Sequence, residues 1–82
     1  MATTPHPITI ALRIMDAWLG LPERDYKATV YLFSYKLPPE EVLEAVEIAQ
    51  DKKPEGGRVG FRYFCGVCNR KMEEHRIRLS WN

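Results

Sequence analysis

The 82-residue sequence lacks features that would assign it to several classes of protein. No apolar run approaches the ~18 residues of a membrane-spanning helix, and the first residues lack the basic and apolar pattern of a signal peptide. The only two cysteines are spaced C-x-x-C, which is a poor disulfide framework for a small secreted protein. These absences predict a cytoplasmic protein with reduced thiols and no membrane segment.

Residues for catalysis are also scarce. Only His6 and His75 could exchange protons near neutral pH, and no nucleophile–base pair is recognisable. The three glycines between positions 56 and 60 do not have the spacing of a phosphate-binding loop, so the stretch 53–58 is predicted to be a mobile connection. The sequence therefore predicts a protein that is not an enzyme and that needs no cofactor.

The spacing of apolar residues predicts an all-α fold, a compact single-domain bundle of about four helices. After a flexible lead-in over 1–7, the predicted spans are 8–19, 23–36, 39–52 and 60–78. Gly20 suits the end of the first helix, and Pro39 suits the start of the third. The predicted core, against which Trp81 is expected to dock, contains Leu12, Met15, Trp18, Val30, Phe33, Val46, Phe61, Phe64, Cys65 and Cys68.

The second span has an ambiguous composition. Residues 29–35 are rich in β-branched and aromatic side chains, which favours a strand. Tyr26, Val30 and Phe33 nevertheless follow the three- and four-residue spacing of a helix, and acidic residues stand in the expected first turn. We interpret this span as a helix whose aromatic residues lie in or beside the core.

The stretch from Arg58 to Arg78 is the basic part of the chain. It holds six basic and two acidic residues, a net charge of +4, whereas the remainder of the chain has a net charge of −3. A small domain with such polarity often presents its basic end to nucleic acid, although basic residues also occur on ordinary solvated helix faces. The predicted phosphate-binding residues are Arg58, Arg62, Arg70, Lys71, Arg76 and Arg78. Arg62, Arg70 and Arg76 are expected to converge best on the polar side of the last helix.

The C-x-x-C pair has three interpretations. Cys65 and Cys68 could bind zinc together with His75 and His6, or they could form a redox-active dithiol. They could also be small apolar residues one helical turn apart that pack in the core. The third interpretation is favoured because no second pair of ligands is present, and it leaves His75 as an exposed residue near a helix end.

Two segments, LPPEEVLEAVEIAQDK and FRYFCGVCNRKM, together resemble the end of DnaD-like primosome and replisome-organiser domains. In that family a helix with the pattern A-x-E-I-A precedes a helix with the pattern Y-x-x-x-I-L-x-x-W. The first pattern is matched by Ala45, Glu47, Ile48 and Ala49. The second is matched by Tyr63 and Val67, with Cys68 in place of leucine and Lys71 in place of the aromatic residue. The resemblance covers about 35 residues and implies an oligomeric helical domain that binds DNA or replication proteins without catalysis.

The leading hypothesis is thus a nucleic-acid-binding accessory domain, and two alternatives stay open. One is a protein-interaction module, such as a phage or mobile-element adaptor or inhibitor. It would use the acidic face between Glu40 and Asp51, or exposed aromatics among Tyr26, Tyr31, Tyr35 and Trp81. The other is a small zinc-stabilised domain that uses Cys65 and Cys68. Whether the protein is a homo-oligomer also stays open.

Overall fold

Four α-helices account for about 85% of the part of the chain that the structure describes. The computed structural model describes residues 5–80, and the side chains of residues 5–76. The helices are α1 (Pro7–Leu19), α2 (Glu23–Lys36), α3 (Pro39–Lys52) and α4 (Gly57–Ser80). Residues 5–80 contain no strand, and the predicted all-α bundle is confirmed. The expected docking of Trp81 lies outside the described residues.

Local chemistry explains where α1 begins and ends. The Nδ1 atom of His6 accepts a hydrogen bond from the backbone N–H of Ile8 at 3.1 Å, so His6 caps the helix. Pro7 follows at the first helical position, where its missing N–H has no cost. Gly20 ends the helix with a φ of 66°, in the left-handed region that glycine enters without strain. His6 and Pro7, predicted to belong to a flexible lead-in, are therefore part of α1 and its cap.

The ambiguous second span is helix α2. Tyr26, Val30 and Phe33 form its buried face, at the spacing that favoured a helix. Tyr26 is only 1% exposed, and its hydroxyl donates a hydrogen bond to Oδ1 of Asp16 at 3.3 Å. Burial, followed by the neighbouring Asp16 carboxylate, raises the pKa of Tyr26. The hypothesis that Tyr26 is an exposed aromatic for a partner is therefore wrong.

Helix α3 lies at the centre of the bundle and packs most extensively against α1 and α4. Its inner face is made of small and β-branched residues, all of them fully buried: Val42, Ala45, Val46 and Ala49. These short side chains allow α1 and α4 to approach α3 closely. Phe64 of α4 fills the remaining space, with its ring edge-on to Phe33 (centroids 5.8 Å apart) and stacked on Phe61 (6.2 Å).

Every predicted core residue is buried or partly buried. Leu12, Trp18, Phe61 and Cys65 are the partly buried ones, and they pack against the fully buried cluster. The ten-residue predicted core left out eight hydrophobic residues that are buried in the structure: Ile8, Ala11, Leu19, Tyr26, Leu37, Val42, Ala45 and Ala49.

Trp18 anchors the connection between α3 and α4 to the end of α1. Its Nε1 donates a hydrogen bond to the carbonyl oxygen of Lys53 at 2.8 Å. Gly56 has a φ of 68°, and a Cβ at this position would overlap the Trp18 carbonyl oxygen. A Cβ on Gly60 would lie 2.7 Å from the Trp18 ring, so glycine is what lets α4 pass the indole at this distance. The connection therefore packs against the end of α1, and α4 begins at Gly57, three residues earlier than expected.

Candidate nucleic-acid interface

Four of the predicted phosphate-binding residues lie exposed on α4: Arg58, Arg62, Arg70 and Arg76. They belong to the outer side of the helix because Phe64 and Cys68 occupy the opposite side, in the core. The side chain of Arg78 lies outside the described residues. The sixteen residues from Gly57 to Met72 contain no acidic residue, and three of their four basic residues, Arg58, Arg62 and Arg70, are exposed on the outer side of α4, which is therefore cationic in this part.

Lys71 is the exception among the predicted residues. Its Nζ lies 2.7 Å from Glu41 Oε2 and 2.7 Å from Glu44 Oε1, and its side chain is only 13% exposed. The hydrogen bond from Lys71, against an opposing effect of burial, holds the pKa of Glu41 below its ordinary value. Burial disfavours the charged form of Lys71, but the hydrogen bonds to both carboxylates outweigh it and raise its pKa. Lys71 therefore joins α4 to α3 and is not free to bind phosphate, which corrects its predicted role.

A groove on the outer side of α4 brings Arg62 and Arg70 together. It has a volume of about 390 Å³, and the residues that line it are Lys53, Val59, Arg62, Tyr63, Gly66, Val67 and Arg70. Three of these residues are cationic and none is acidic. Arg76 is not among them, and Arg58 instead lines a neighbouring groove that contains Arg62 and also the acidic Asp25. The predicted convergence of Arg62 and Arg70 thus agrees with the geometry, whereas that of Arg76 does not.

Lys53 is a groove residue that sequence reasoning missed. Its Nζ lies 5.9 Å from the centre of the Tyr63 ring, which is within the range of a cation–π interaction. Its backbone carbonyl is the one that accepts the Trp18 hydrogen bond. Lys53 is thus held at both its main chain and its side chain beside the start of α4. Little in the sequence indicated that Lys53 would line a groove, because it stands in the stretch 53–58, which was predicted to be a loop.

Gly66 leaves the middle of the groove without a side chain. It is exposed, its φ is not positive, and a Cβ at this position would meet nothing within 4 Å. Neither packing nor backbone conformation therefore requires glycine here, although glycine inside a helix costs about 1 kcal/mol relative to alanine. Its effect on the surface is to expose the backbone of α4 between Arg62 and Arg70.

The acidic face of α3 is partly neutralised. Glu41 and Glu44 pair with Lys71, and Nε2 of His75 lies 3.7 Å from Oε1 of Glu41. His75 is half-buried, with no hydrogen-bond partner for Nε2 among the described residues. It is therefore not the exposed residue near a helix end that was predicted, because α4 continues to Ser80 and packs on α3 at this point. Less free charge remains on this face than the protein-interaction hypothesis assumed.

The C-x-x-C pair faces the interior. Cys68 is fully buried and Cys65 partly buried, and both thiols are free. Burial, followed by the proximity of Cys65, raises the pKa of Cys68 to about 12, and burial also raises the pKa of Cys65. Such thiols are protonated at neutral pH, a state unsuited to redox exchange. Over residues 5–76 no three side chains of histidine, cysteine, aspartate or glutamate are grouped as metal ligands would be.

No protein-family model, curated protein or solved structure matches the chain. The resemblance to DnaD-like domains therefore stays a prediction. None of the helices described here is long and apolar enough to cross a membrane.

We expect Lys71→Met to destabilise the protein by about 1–2 kcal/mol at pH 7, since two carboxylates on α3 lose a largely buried cation. The pKa of Glu41 is lower in the folded protein than in the unfolded chain, where it is about 4.3. The interaction between Glu41 and Lys71 therefore stabilises the fold above this unfolded-state pKa, and the stabilisation is lost as the pH falls through the folded-state pKa. The gap in stability between wild type and variant should therefore narrow below about pH 4. Urea unfolding, monitored by circular dichroism at several pH values, measures this difference in the free energy of unfolding.

Lys27→Met is the matched control for this prediction. Lys27 pairs with Glu23 at 3.6 Å on the exposed surface of α2, with side chains 44% and 66% exposed. An exposed i, i+4 pair of this kind contributes at most about 0.5 kcal/mol, so this variant should unfold almost like the wild type. Equal effects of the two substitutions, or a gap that does not depend on pH, would contradict the assigned role of Lys71.

Proposed function

We propose that the protein binds nucleic acid through its sugar–phosphate backbone, using the outer side of α4. The observation that carries this proposal is the groove in which Lys53, Arg62 and Arg70 stand without an acidic residue. Backbone phosphates are the ligands that such a cationic groove attracts, largely independently of base sequence.

The start of α4 adds to the attraction for anions. The first turn of the helix contains no acidic residue and does contain Arg58. A cation at this end is unfavourable for the helix dipole, because the unpaired backbone N–H groups there already carry a partial positive charge. A bound phosphate would compensate both charges, as anions commonly do at helix N-termini.

Gly66 and Tyr63 give the groove its shape. Arg62 and Arg70 are two helical turns apart, about 12 Å along the axis, with Gly66 midway between them. Without a side chain at Gly66, a phosphate backbone can lie close to the helix and contact both arginines. Tyr63, which is half-buried beneath Lys53, supplies an apolar wall on which a sugar or base can rest.

The proposal is tested by titrating labelled duplex and single-stranded oligonucleotides with the protein and measuring fluorescence anisotropy at several salt concentrations. Lys53, Arg62 and Arg70 line the groove, and Arg58 lies beside it in the neighbouring groove that also contains Asp25, so three or four cations can neutralise phosphates. On duplex DNA, log K should therefore fall with log salt with a slope of about −3 to −4. Unrelated sequences of the same length should bind with similar affinity.

Arg62→Glu combined with Arg70→Glu should weaken binding at 50 mM salt by at least about 100-fold, since two phosphate contacts are lost. Both side chains are exposed, so the fold should be unchanged by circular dichroism. The control is Arg13→Glu with Arg24→Glu, which makes the same change in net charge at exposed positions on α1 and α2. Equal losses in the two variants, or no salt-dependent binding by the wild type, would rule out the α4 groove as the site.

A further inference from the structure

Helix α2 carries a second apolar face, directed to solvent. The residues of this face are Ala28, Tyr31, Leu32 and Tyr35, which we call the α2 stripe. Their positions follow the i, i+3, i+4, i+7 spacing of a helix–helix contact. Tyr31 is 44% exposed, Leu32 53% and Tyr35 87%, so three of the four large exposed hydrophobic residues of the described chain belong to this stripe.

The stripe is not required for the fold of the single chain. Tyr26, Val30 and Phe33 already attach α2 to the core from its other side. Tyr31 and Tyr35 also line a groove together with Leu12 of α1, so the apolar surface extends beyond one helix. A contiguous exposed patch of this kind marks an interaction surface more often than an isolated exposed residue does.

The charges beside the stripe indicate what covers it. Asp25 and Lys36 lie near opposite ends of α2, and their positions, eleven residues apart, place them on the same edge of the stripe. When two copies of a helix pair antiparallel about a two-fold axis, the same edge of each copy meets the same edge of the other. Asp25 of each copy then approaches Lys36 of the other. The small side chain of Ala28 allows the two helices to lie close together.

We propose that the α2 stripe is the interface of a homodimer, in which the two α2 helices pack antiparallel across a two-fold axis. The helix is about 21 Å long and contributes few residues, so the buried area falls below that of a standard interface. The dimer is accordingly weak, with a dissociation constant on the order of 10–500 μM. A weak dimer carries two α4 surfaces, but its formation does not depend on whether they bind nucleic acid.

Sedimentation velocity from about 10 μM to 1 mM protein tests the proposal, with an expected shift from monomer to dimer across this range. Leu32→Glu should weaken the dimer at least about 10-fold, because it places a charge in the centre of the stripe. Val59→Glu is the matched control, since Val59 is 54% exposed on α4 and Leu32 is 53% exposed on α2. Val59→Glu should leave the monomer–dimer equilibrium unchanged.

A charge exchange tests the antiparallel arrangement. The single variants Asp25→Lys and Lys36→Asp should each weaken the dimer. In either variant, residue 25 of one copy and residue 36 of the other carry the same charge, and this repulsion occurs at both ends of the interface. The double variant restores opposite charges at both places and should recover the wild-type dissociation constant. A protein that remains monomeric at 1 mM, a dimer insensitive to Leu32→Glu, or a double variant no better than the single ones would each overturn the proposal.

Discussion

Replacing Gly56 with alanine is expected to remove a large part of the stability of the protein. Gly56 has a φ of 68°, where an L-residue other than glycine is strained by about 1–2 kcal/mol. In addition, the new Cβ would overlap the carbonyl oxygen of Trp18. Relief of this overlap requires the end of α1 to separate from the start of α4, because the obstacle is backbone and not a flexible side chain.

The expected loss is about 4 kcal/mol or more, against a total of about 4–12 kcal/mol for a domain of this size. Urea unfolding measured by circular dichroism gives the value. Gly20→Ala is the control, since Gly20 has a φ of 66° but a Cβ there would meet nothing within 4 Å. That variant should lose only about 1–2 kcal/mol, the cost of the backbone conformation alone. If the two variants unfold at the same urea concentration, the close contact with Trp18 has no energetic importance.

Trp18→Ala should destabilise the protein by about 3–5 kcal/mol, the range for removing a large aromatic side chain from a packed position. The indole touches Gly60 and donates its hydrogen bond to Lys53, so its loss separates three elements at once. For a domain of this size each kcal/mol lowers the melting temperature by about 4–8 °C. A fall of at least about 12 °C in a thermal unfolding experiment is therefore expected.

Gly60→Ala provides an internal check on this interpretation. In the wild-type background its Cβ would press on the Trp18 ring, at 2.7 Å. In the Trp18→Ala background the obstructing ring is gone, and alanine has the better helix propensity. Gly60→Ala should thus destabilise the first background and stabilise the second by up to about 1 kcal/mol. Additive effects in this double-mutant cycle would show that the two residues do not interact.

The helices were predictable because apolar spacing and end signals agree along most of the chain. Gly20 and Pro39 each mark an end that the structure retains. The start of α4 was less predictable. Gly56 and Gly57 adopt positive φ values, and two adjacent glycines in a sequence are compatible with a loop as well as with the approach to a helix. What distinguishes the two is the contact with Trp18, which is distant in sequence.

The candidate interface was only partly predictable, because part of it depends on how two helices pack against each other. Arg62 and Arg70 could be placed on one side of α4 from their spacing alone. The pairing of Lys71 could not, since Glu41 is 30 residues away and approaches only when α3 and α4 pack together. Lys53 enters the groove for a similar reason, through Trp18 and Tyr63.

The two faces of α2 present a different difficulty. Tyr26, Val30 and Phe33 have helical spacing, and so do Tyr31, Leu32 and Tyr35. Periodicity alone therefore does not say which set is buried. The packing of α2 against α1 and α3 determines which set is buried. It leaves Tyr31 and Tyr35, which were expected in or beside the core, exposed to solvent.

Helix α2 also packs least extensively of the four helices against the rest of the bundle. A helix held by few neighbours can open while the remaining helices stay folded, and its amide hydrogens then exchange with solvent sooner. The backbone of α2 should thus be the first of the four helices to take up deuterium. Because local opening removes the stripe as a regular surface, association through α2 would slow deuterium uptake in that helix before it altered uptake in the others.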